Sequence, residues 1–215
     1  MENLKDYINK LRIDFSKGAL SETDVEGDPI LQFEKWFKQA VEAQVNEPNA
    51  FVLASAGKDG RPSARVVLLR NFDTKGFVFY SNYTSRKGVQ LNESPYGAIT
   101  FFWPELERQV RLEGSLEKQE AAESDAYFSS RPRASQLGAW VSAQSTVIAG
   151  RKQLDEKYLE LEKKFPAEVP RPPYWGGYLL KPDRIEFWQG RASRLHDRLQ
   201  YRLEKGKWVL ERLAP

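Results

Sequence analysis

Residues 50–82, AFVLASAGKDGRPSARVVLLRNFDTKGFVFYSN, decide the fold class. Phe51 to Ala56, Ala64 to Arg70 and Phe77 to Ser81 are short runs rich in β-branched or aromatic residues, the composition of strands. Lys58-Asp59-Gly60 and Asp73 to Gly76 separate them and are turn signals. Downstream, Ala98 to Trp103 and Gln109 to Leu116 repeat the strand composition, with Glu93 to Pro95 as a further turn. Ala121 to Ser129, Ser135 to Val141 and Arg151 to Phe165 then read as helices, followed by a stiff connector from Pro166 to Pro173. Tyr178 to Leu180, Arg184 to Trp188, Arg198 to Glu204 and Lys207 to Arg212 complete an antiparallel set, the last two joined by a Lys205-Gly206 hairpin turn. Strand runs interrupted by helices, without βαβ alternation, predict an α+β barrel and not a doubly wound sheet.

Upstream, Asp28 and Pro29 are an N-cap and first-turn proline, and Phe33, Trp36, Phe37, Ala40, Val41 and Val45 form an apolar stripe at helical spacing. Leu4, Tyr7, Ile8 and Leu11 suggest one small helix in a polar, acidic leader. The expected organisation is a mobile N-terminal arm, residues 1–26, and a single domain, residues 27–215.

The 215 residues are 40% hydrophobic and 13% aromatic, enough to bury a core. Lys plus Arg at 33 against Asp plus Glu at 30 gives a net charge of +3, too balanced to imply nucleic-acid binding by charge alone. The absence of Cys excludes disulfides, thiolate nucleophiles and cysteine-held metals, and a single His excludes His-rich metal sites, so no metal is expected. Neither a signal peptide nor an apolar run long enough to span a bilayer is present, which predicts a cytoplasmic protein without membrane partners.

Three clusters carry possible chemistry. Arg65 and Arg70 bracket an apolar run that should be largely buried, and Arg86-Lys87 follow Thr84-Ser85 at a helix start; each suits a phosphate clamp, while the ordinary reading of any single Arg or Lys is a solvated surface charge. Tyr127 to Ser135 interleaves hydroxyls with Arg131 and Arg133 around Pro132; this is either a second phosphate grip or a turn capped by Ser135 with the arginines in water. Arg194, His196 and Arg198 would alternate to one face of a strand beside Trp188, with His196 either structural or proton-handling. P-loop, Rossmann, nucleophile-elbow and paired-carboxylate patterns are missing, which suggests that a phosphorylated cofactor does the chemistry.

The chain resembles the pyridoxine 5′-phosphate oxidase family in Arg65-Val-Val-Leu-Leu-Arg70, Phe79-Tyr-Ser-Asn82, Ser85-Arg-Lys87, Glu107-Arg-Gln-Val110, Tyr127-Phe-Ser-Ser-Arg-Pro-Arg133, Ser135-Gln-Leu-Gly-Ala139, Glu186-Phe-Trp-Gln-Gly190, Arg194-Leu-His-Asp-Arg198 and Glu211-Arg-Leu-Ala-Pro215. The resemblance implies an FMN-binding split β-barrel, antiparallel and Greek-key in type, with peripheral helices, assembled as a homodimer whose two FMN sites are lined by both chains. It implies FMN contacts from Arg65, Val66, Val67, Leu68, Leu69, Arg70, Tyr80, Ser81, Arg86, Lys87, Gln109, Gln144, Ser145, Trp188 and Arg198. Arg70, Tyr127, Arg131 and Ser135 are implied to grip the substrate phosphate, with Arg194, Leu195 and His196 around the pyridine ring, Arg194 and His196 being the catalytic pair. Arg12, Ile13, Asp14 and Phe15 match the arm segment that folds over the substrate.

Arg70 stands where a Lys is common and Phe15 where a Tyr is common, changes that bear on arm closure and substrate affinity. The implied reaction oxidises pyridoxine 5′-phosphate or pyridoxamine 5′-phosphate to pyridoxal 5′-phosphate, with hydride transfer to the flavin and O2 reduced to H2O2. The alternatives are a split-barrel flavin oxidase acting on another substrate, such as a phenazine precursor, and a non-enzymatic flavin-binding or nucleic-acid-binding module.

Overall fold

The computed structural model describes residues 3–11 and 14–215, so the arm positions Arg12 and Ile13 lie outside the described residues. Asn3 caps α1 (Leu4–Lys10) by accepting from Lys5 N at 3.1 Å, and every residue of this helix is exposed. Asp28 caps α2 (Pro29–Glu42) as the sequence predicts, accepting from Ile30 N at 2.7 Å. Next come β1 (Ala50–Ala56), β2 (Pro62–Leu68), β3 (Asn71–Asp73), β4 (Gly76–Asn82), α3 (Arg86–Glu93), β5 (Tyr96–Trp103) and β6 (Arg108–Lys118). Helices α4 (Ala121–Ser130), α5 (Arg133–Val141) and α6 (Arg151–Lys164) precede β7 (Trp175–Gln189), β8 (Asp197–Glu204) and β9 (Lys207–Arg212).

The strand order is β2-β1-β5-β6-β7-β4-β3, with β8 beside β7 and β9 beside β8. The β1–β2, β3–β4, β4–β7, β7–β8 and β8–β9 pairings are all antiparallel, consistent with the predicted α+β class. Lys205 and Gly206 close the last hairpin with positive φ at both positions, the geometry whose twist matches that of the strands.

The chain forms two compact units. One takes in the chain up to Pro48 with Thr100–Leu112 and Arg184–Pro215; the other comprises Asn49–Ile99 and Glu113–Asp183. In the first, the α2 stripe meets strand residues, with Phe33 5.1 Å from Phe101 and Trp36 edge-on to Phe187 at 5.2 Å. In the second, Phe79 lies between Phe51 and Tyr178, at 5.8 and 5.4 Å. A helical cluster of Phe128, Leu137, Leu161, Val169 and Trp175 is also buried there.

Several expectations need correction. Ala64 to Arg70 is not a largely buried run: β2 is an edge strand whose residues alternate between exposed and half-buried, with Val66 67% exposed. It also begins earlier, because the β1 register pairs Ala56 with Pro62. Residues 71–73, within and next to the expected turn, form β3, leaving a tight turn in which Asp73 accepts from Lys75 N at 2.7 Å. Tyr178 to Leu180 and Arg184 to Trp188 belong to one strand. Pro182 is tolerated in β7 because it falls between the stretch registered on β4, ending at Leu180, and the stretch registered on β8, starting at Arg184. Ser135 is not an N-cap, since α5 starts at Arg133 with Pro132 in the capping position. Arg194 and His196 are not on a strand: Ala192–Arg194 forms a 3-10 turn with positive φ at Ser193 and Arg194, and β8 begins only at Asp197.

Candidate functional site

The second unit holds two adjoining cavities. The first, about 570 Å³, is lined by Ser63, Arg65, Arg86, Lys87, Gln144 and Ser145, together with Val66, Val67, Tyr80 and Ser81. Ser85 caps α3 by accepting from Gly88 N at 3.3 Å, so Arg86 and Lys87 occupy the first turn, where free backbone N–H groups favour an anion. Gly88 is obligatory: a Cβ there would lie 2.2 Å from the Tyr83 carbonyl oxygen. Lys87 is buried and donates to Ser81 Oγ at 2.9 Å and Gln144 Oε1 at 2.8 Å. Burial, then the charge of Arg65, pulls its pKa down from 10.5 to about 8. Arg65 is anchored by Ser55 Oγ at 2.6 Å and by Ser63 Oγ, and burial and Arg86 lower its pKa as well. Three crowded cations without a carboxylate among the lining residues make a donor set that a phosphate monoester would neutralise.

The second cavity, about 440 Å³, shares Tyr80, Ser81 and Gln144 with the first and brings together Arg70, Tyr127, Arg131 and Ser135, the four residues predicted to grip a phosphate. Tyr80 and Tyr127 stack at 3.8 Å, with Trp175 parallel to both. The Arg131 guanidinium lies 4.6 Å from the Trp175 ring, and its Nη1 is buried without a hydrogen-bond partner among the described residues. Burial and the nearby charge of Arg70 lower its pKa, while Tyr127 opposes the shift. Arg133, by contrast, donates to the Phe165 and Ala167 carbonyls and holds the helical cluster. The interleaved arginines thus divide: one is structural and the other has an unused donor. Leu68 lines this cavity too, whereas Leu69 is buried away from both.

The first unit gathers Phe15, Trp188 and His196. Trp188 and His196 rings are 4.6 Å apart, and Phe15 stands edge-on to both at 5.7 and 5.6 Å. His196 Nδ1 accepts from Arg191 N at 3.1 Å, which fixes the neutral tautomer with hydrogen on Nε2. Arg198 is paired with buried Glu186 at 2.8 and 3.1 Å, which holds its pKa up, and Arg111 joins the same carboxylate at 3.3 Å. Arg194 and Leu195 are exposed, as is Asp14, and Gln109 is half-buried on β6.

Sequence reasoning missed Trp175 and assigned no role to Glu107 or Glu186. A Trp beside a Gly pair carries no motif, and the two carboxylates reveal themselves only through folded partners, Arg198 and Arg111 for Glu186 and the backbone of Ser16 and Lys17 for Glu107. Among the described residues, no helix is long and apolar enough to cross a membrane, and no group of three His, Cys, Asp or Glu could hold a metal ion.

Residues 37–164 match the family model described as pyridoxamine 5′-phosphate oxidase, and residues 175–215 match that of the pyridoxine 5′-phosphate oxidase C-terminal dimerisation region. A pyridoxine/pyridoxamine 5′-phosphate oxidase of Cyanothece sp. is 55% identical over 97% of this chain and 98% of its own. One from Neisseria meningitidis serogroup C is 55% identical over 97% and 99%. Among solved structures, PhzG of Burkholderia lata 383, in complex with tetrahydrophenazine-1-carboxylic acid, superposes with a TM-score of 0.87 at 33% identity, covering 93% of this chain and all of that one. A pyridoxamine 5′-phosphate oxidase-related, FMN binding protein of Nostoc punctiforme shares the fold at a TM-score of 0.67 and 18% identity, over 85% of this chain and 97% of that one.

Proposed function

Since the chain belongs to the pyridoxamine 5′-phosphate oxidase family, a family of oxidoreductases, we propose that it is an FMN-dependent oxidase converting pyridoxine 5′-phosphate or pyridoxamine 5′-phosphate to pyridoxal 5′-phosphate. The observation that carries the phosphate specificity is the buried Nη1 of Arg131, unpartnered among the described residues, beside the like charge of Arg70. Such a pair is stabilised by an anion, and a phosphate ester is the anion that a guanidinium fork fits best.

Arg65, Arg86, Lys87, Ser81 and Ser145 would hold the FMN phosphate, and the stacked Tyr80 would border the ring system. When bound, FMN supplies the two-electron acceptor and its reoxidation by dioxygen to hydrogen peroxide. The chain's own task is placement. Arg70, Tyr127, Arg131 and Ser135 would fix the substrate phosphate. His196, held as the Nε2–H tautomer, would donate a hydrogen bond to the substrate, and Arg194 would approach the pyridine ring. A general-base role at Nε2 would require a proton on Nδ1, facing the Arg191 N–H.

The dimerisation-region match supports a homodimer, which we propose has flavin sites lined by both chains. FMN-loaded protein incubated in air with pyridoxine 5′-phosphate should release aldehyde and peroxide in equal amounts and sediment as a dimer. Absence of both products would overturn the reading.

Lys87 makes cofactor affinity pH-dependent. A phosphate dianion would restore the ordinary charge of a group whose pKa is about 8 without it, so binding takes up a proton between roughly pH 8 and 10.5. FMN affinity should therefore fall about tenfold from pH 7 to pH 9, measured by flavin fluorescence quenching. In the cofactor-free chain the same shift makes folding stability rise across that window, because the unfolded state then holds more protons. An affinity that is flat in pH would place Lys87 outside the phosphate's reach.

A further inference from the structure

Glu107 is an anomaly outside the machinery described so far. It closes the 3-10 turn Pro104–Leu106 in the left-handed region, at φ 54° and ψ 41°, where a glycine or asparagine is common, yet it is buried. Its carbonyl accepts from Gly190 N at 2.8 Å and from Gln189 Nε2 at 3.2 Å. Its carboxylate reaches a different segment, with Oε2 accepting from Ser16 N at 2.8 Å and Lys17 N at 2.9 Å. A glycine would meet the backbone demand of this turn; only a side-chain acceptor meets the second.

Phe15 is the residue immediately before this clamp, and its ring lies against His196 and Trp188. It also fills the notch left by Gly190, where a Cβ would stand 2.7 Å from Phe15 Cγ. Farther along, Leu20 N donates to Asp197 at 3.0 Å, and Arg212 binds Glu22, Asp197 and the Leu20 carbonyl. Lys17 Nζ also donates to the Glu105 carbonyl at 2.6 Å, but among the described residues the Glu107 carboxylate is the group that holds the backbone N–H groups immediately after Phe15. Losing it would free the ring while the Asp197–Arg212 anchor keeps residues 20–22 in place.

We propose that Glu107 is a positioning residue that acts through Phe15: by clamping Ser16 and Lys17 it sets the aromatic cover over His196 and Trp188, and with it the affinity for the phosphorylated pyridine substrate. The substrate part of this rests on the function proposed above; the clamp itself does not.

The test uses FMN-loaded full-length protein as wild type, Glu107→Gln, Glu107→Ala, Phe15→Ala and the Glu107→Ala/Phe15→Ala double variant. Glu107→Ala should raise KM for pyridoxine 5′-phosphate about tenfold with kcat changed less than twofold, and tryptic cleavage after Lys17 should speed up about tenfold. Glu107→Gln keeps an oxygen acceptor and should stay within about threefold of wild type in both. The double variant should be no worse than Phe15→Ala alone. Multiplying effects, a fall in kcat with KM unmoved, or Glu107→Gln as damaged as Glu107→Ala would overturn the proposal. If Glu107→Ala does not fold, Ser16→Pro removes one of the two clamped N–H donors from an exposed position and must give the same KM rise and faster cleavage; wild-type values would overturn the proposal. If wild-type protein fails to oxidise the substrate, the functional reading alone falls, and the cleavage rates still decide the clamp.

Discussion

Arg131→Ala should lower kcat/KM for pyridoxine 5′-phosphate by about tenfold to a hundredfold while sparing turnover of unphosphorylated pyridoxine. The magnitude follows from one charge-assisted hydrogen bond, roughly 1.5 to 3 kcal/mol, at about 1.36 kcal/mol per decade of rate. The selectivity follows from position: Nη1 is a donor of the second cavity left unsatisfied among the described residues, and free pyridoxine offers it no anion. Arg131→Lys should recover only part of the loss, because an ammonium keeps the charge but not the fork, nor the planar stacking on Trp175. Steady-state kinetics on both substrates decide it. Equal losses would mean that the stack on Trp175, not the phosphate, is what Arg131 serves.

His196→Asn should cost about tenfold or more in kcat/KM and leave FMN bound and the fold intact. Asparagine can still offer an oxygen to Arg191 N, so the turn from Ala192 to Leu195 keeps its support, but nothing replaces the outward Nε2–H. The loss is that of a hydrogen bond strengthened by developing charge, roughly 1.5 to 3 kcal/mol. Flavin absorbance after gel filtration and the thermal midpoint serve as controls. A variant that turns over normally, or one that loses FMN and recovers full rate on reloading, would remove His196 from the substrate side.

Local signals in the sequence led to the right elements wherever the physics was local. Asp28 before Pro29, Ser85 before Arg86 and the Lys205-Gly206 pair each announce a cap or turn within four residues, and each is where the sequence places it. The interleaved hydroxyls and guanidiniums of Tyr127 to Ser135 leave a phosphate grip and a capped turn open, the set Arg70, Tyr127, Arg131 and Ser135 comes from the family resemblance, and only the packing brings those four to one cavity and separates Arg131 from Arg133. What failed was long-range. Tyr178 to Leu180 and Arg184 to Trp188 read as two strands because the changeover of pairing partners along β7 is invisible in the chain. The alternation of Arg194, His196 and Arg198 looked like a strand face because residues that adopt positive φ without being glycine leave no compositional mark. Glu107 stands in the Glu107-Arg-Gln-Val110 motif without a role because the partners of its carboxylate lie 90 and 91 positions away.

The notch at Gly190 has a consequence for how this protein can drift. A methyl at position 190 collides with the base of the Phe15 ring, Cβ and Cγ, which rotation about the ring axis cannot move aside. Position 15 can exchange one flat ring for another without touching the notch, but position 190 cannot gain a side chain until position 15 loses its ring and its Cβ, 2.8 Å from the added methyl, also shifts. The two sites therefore behave as a single heritable character, and a lineage that both abandons the aromatic cover and lets this part of the arm move is the one in which Gly190 becomes free to vary.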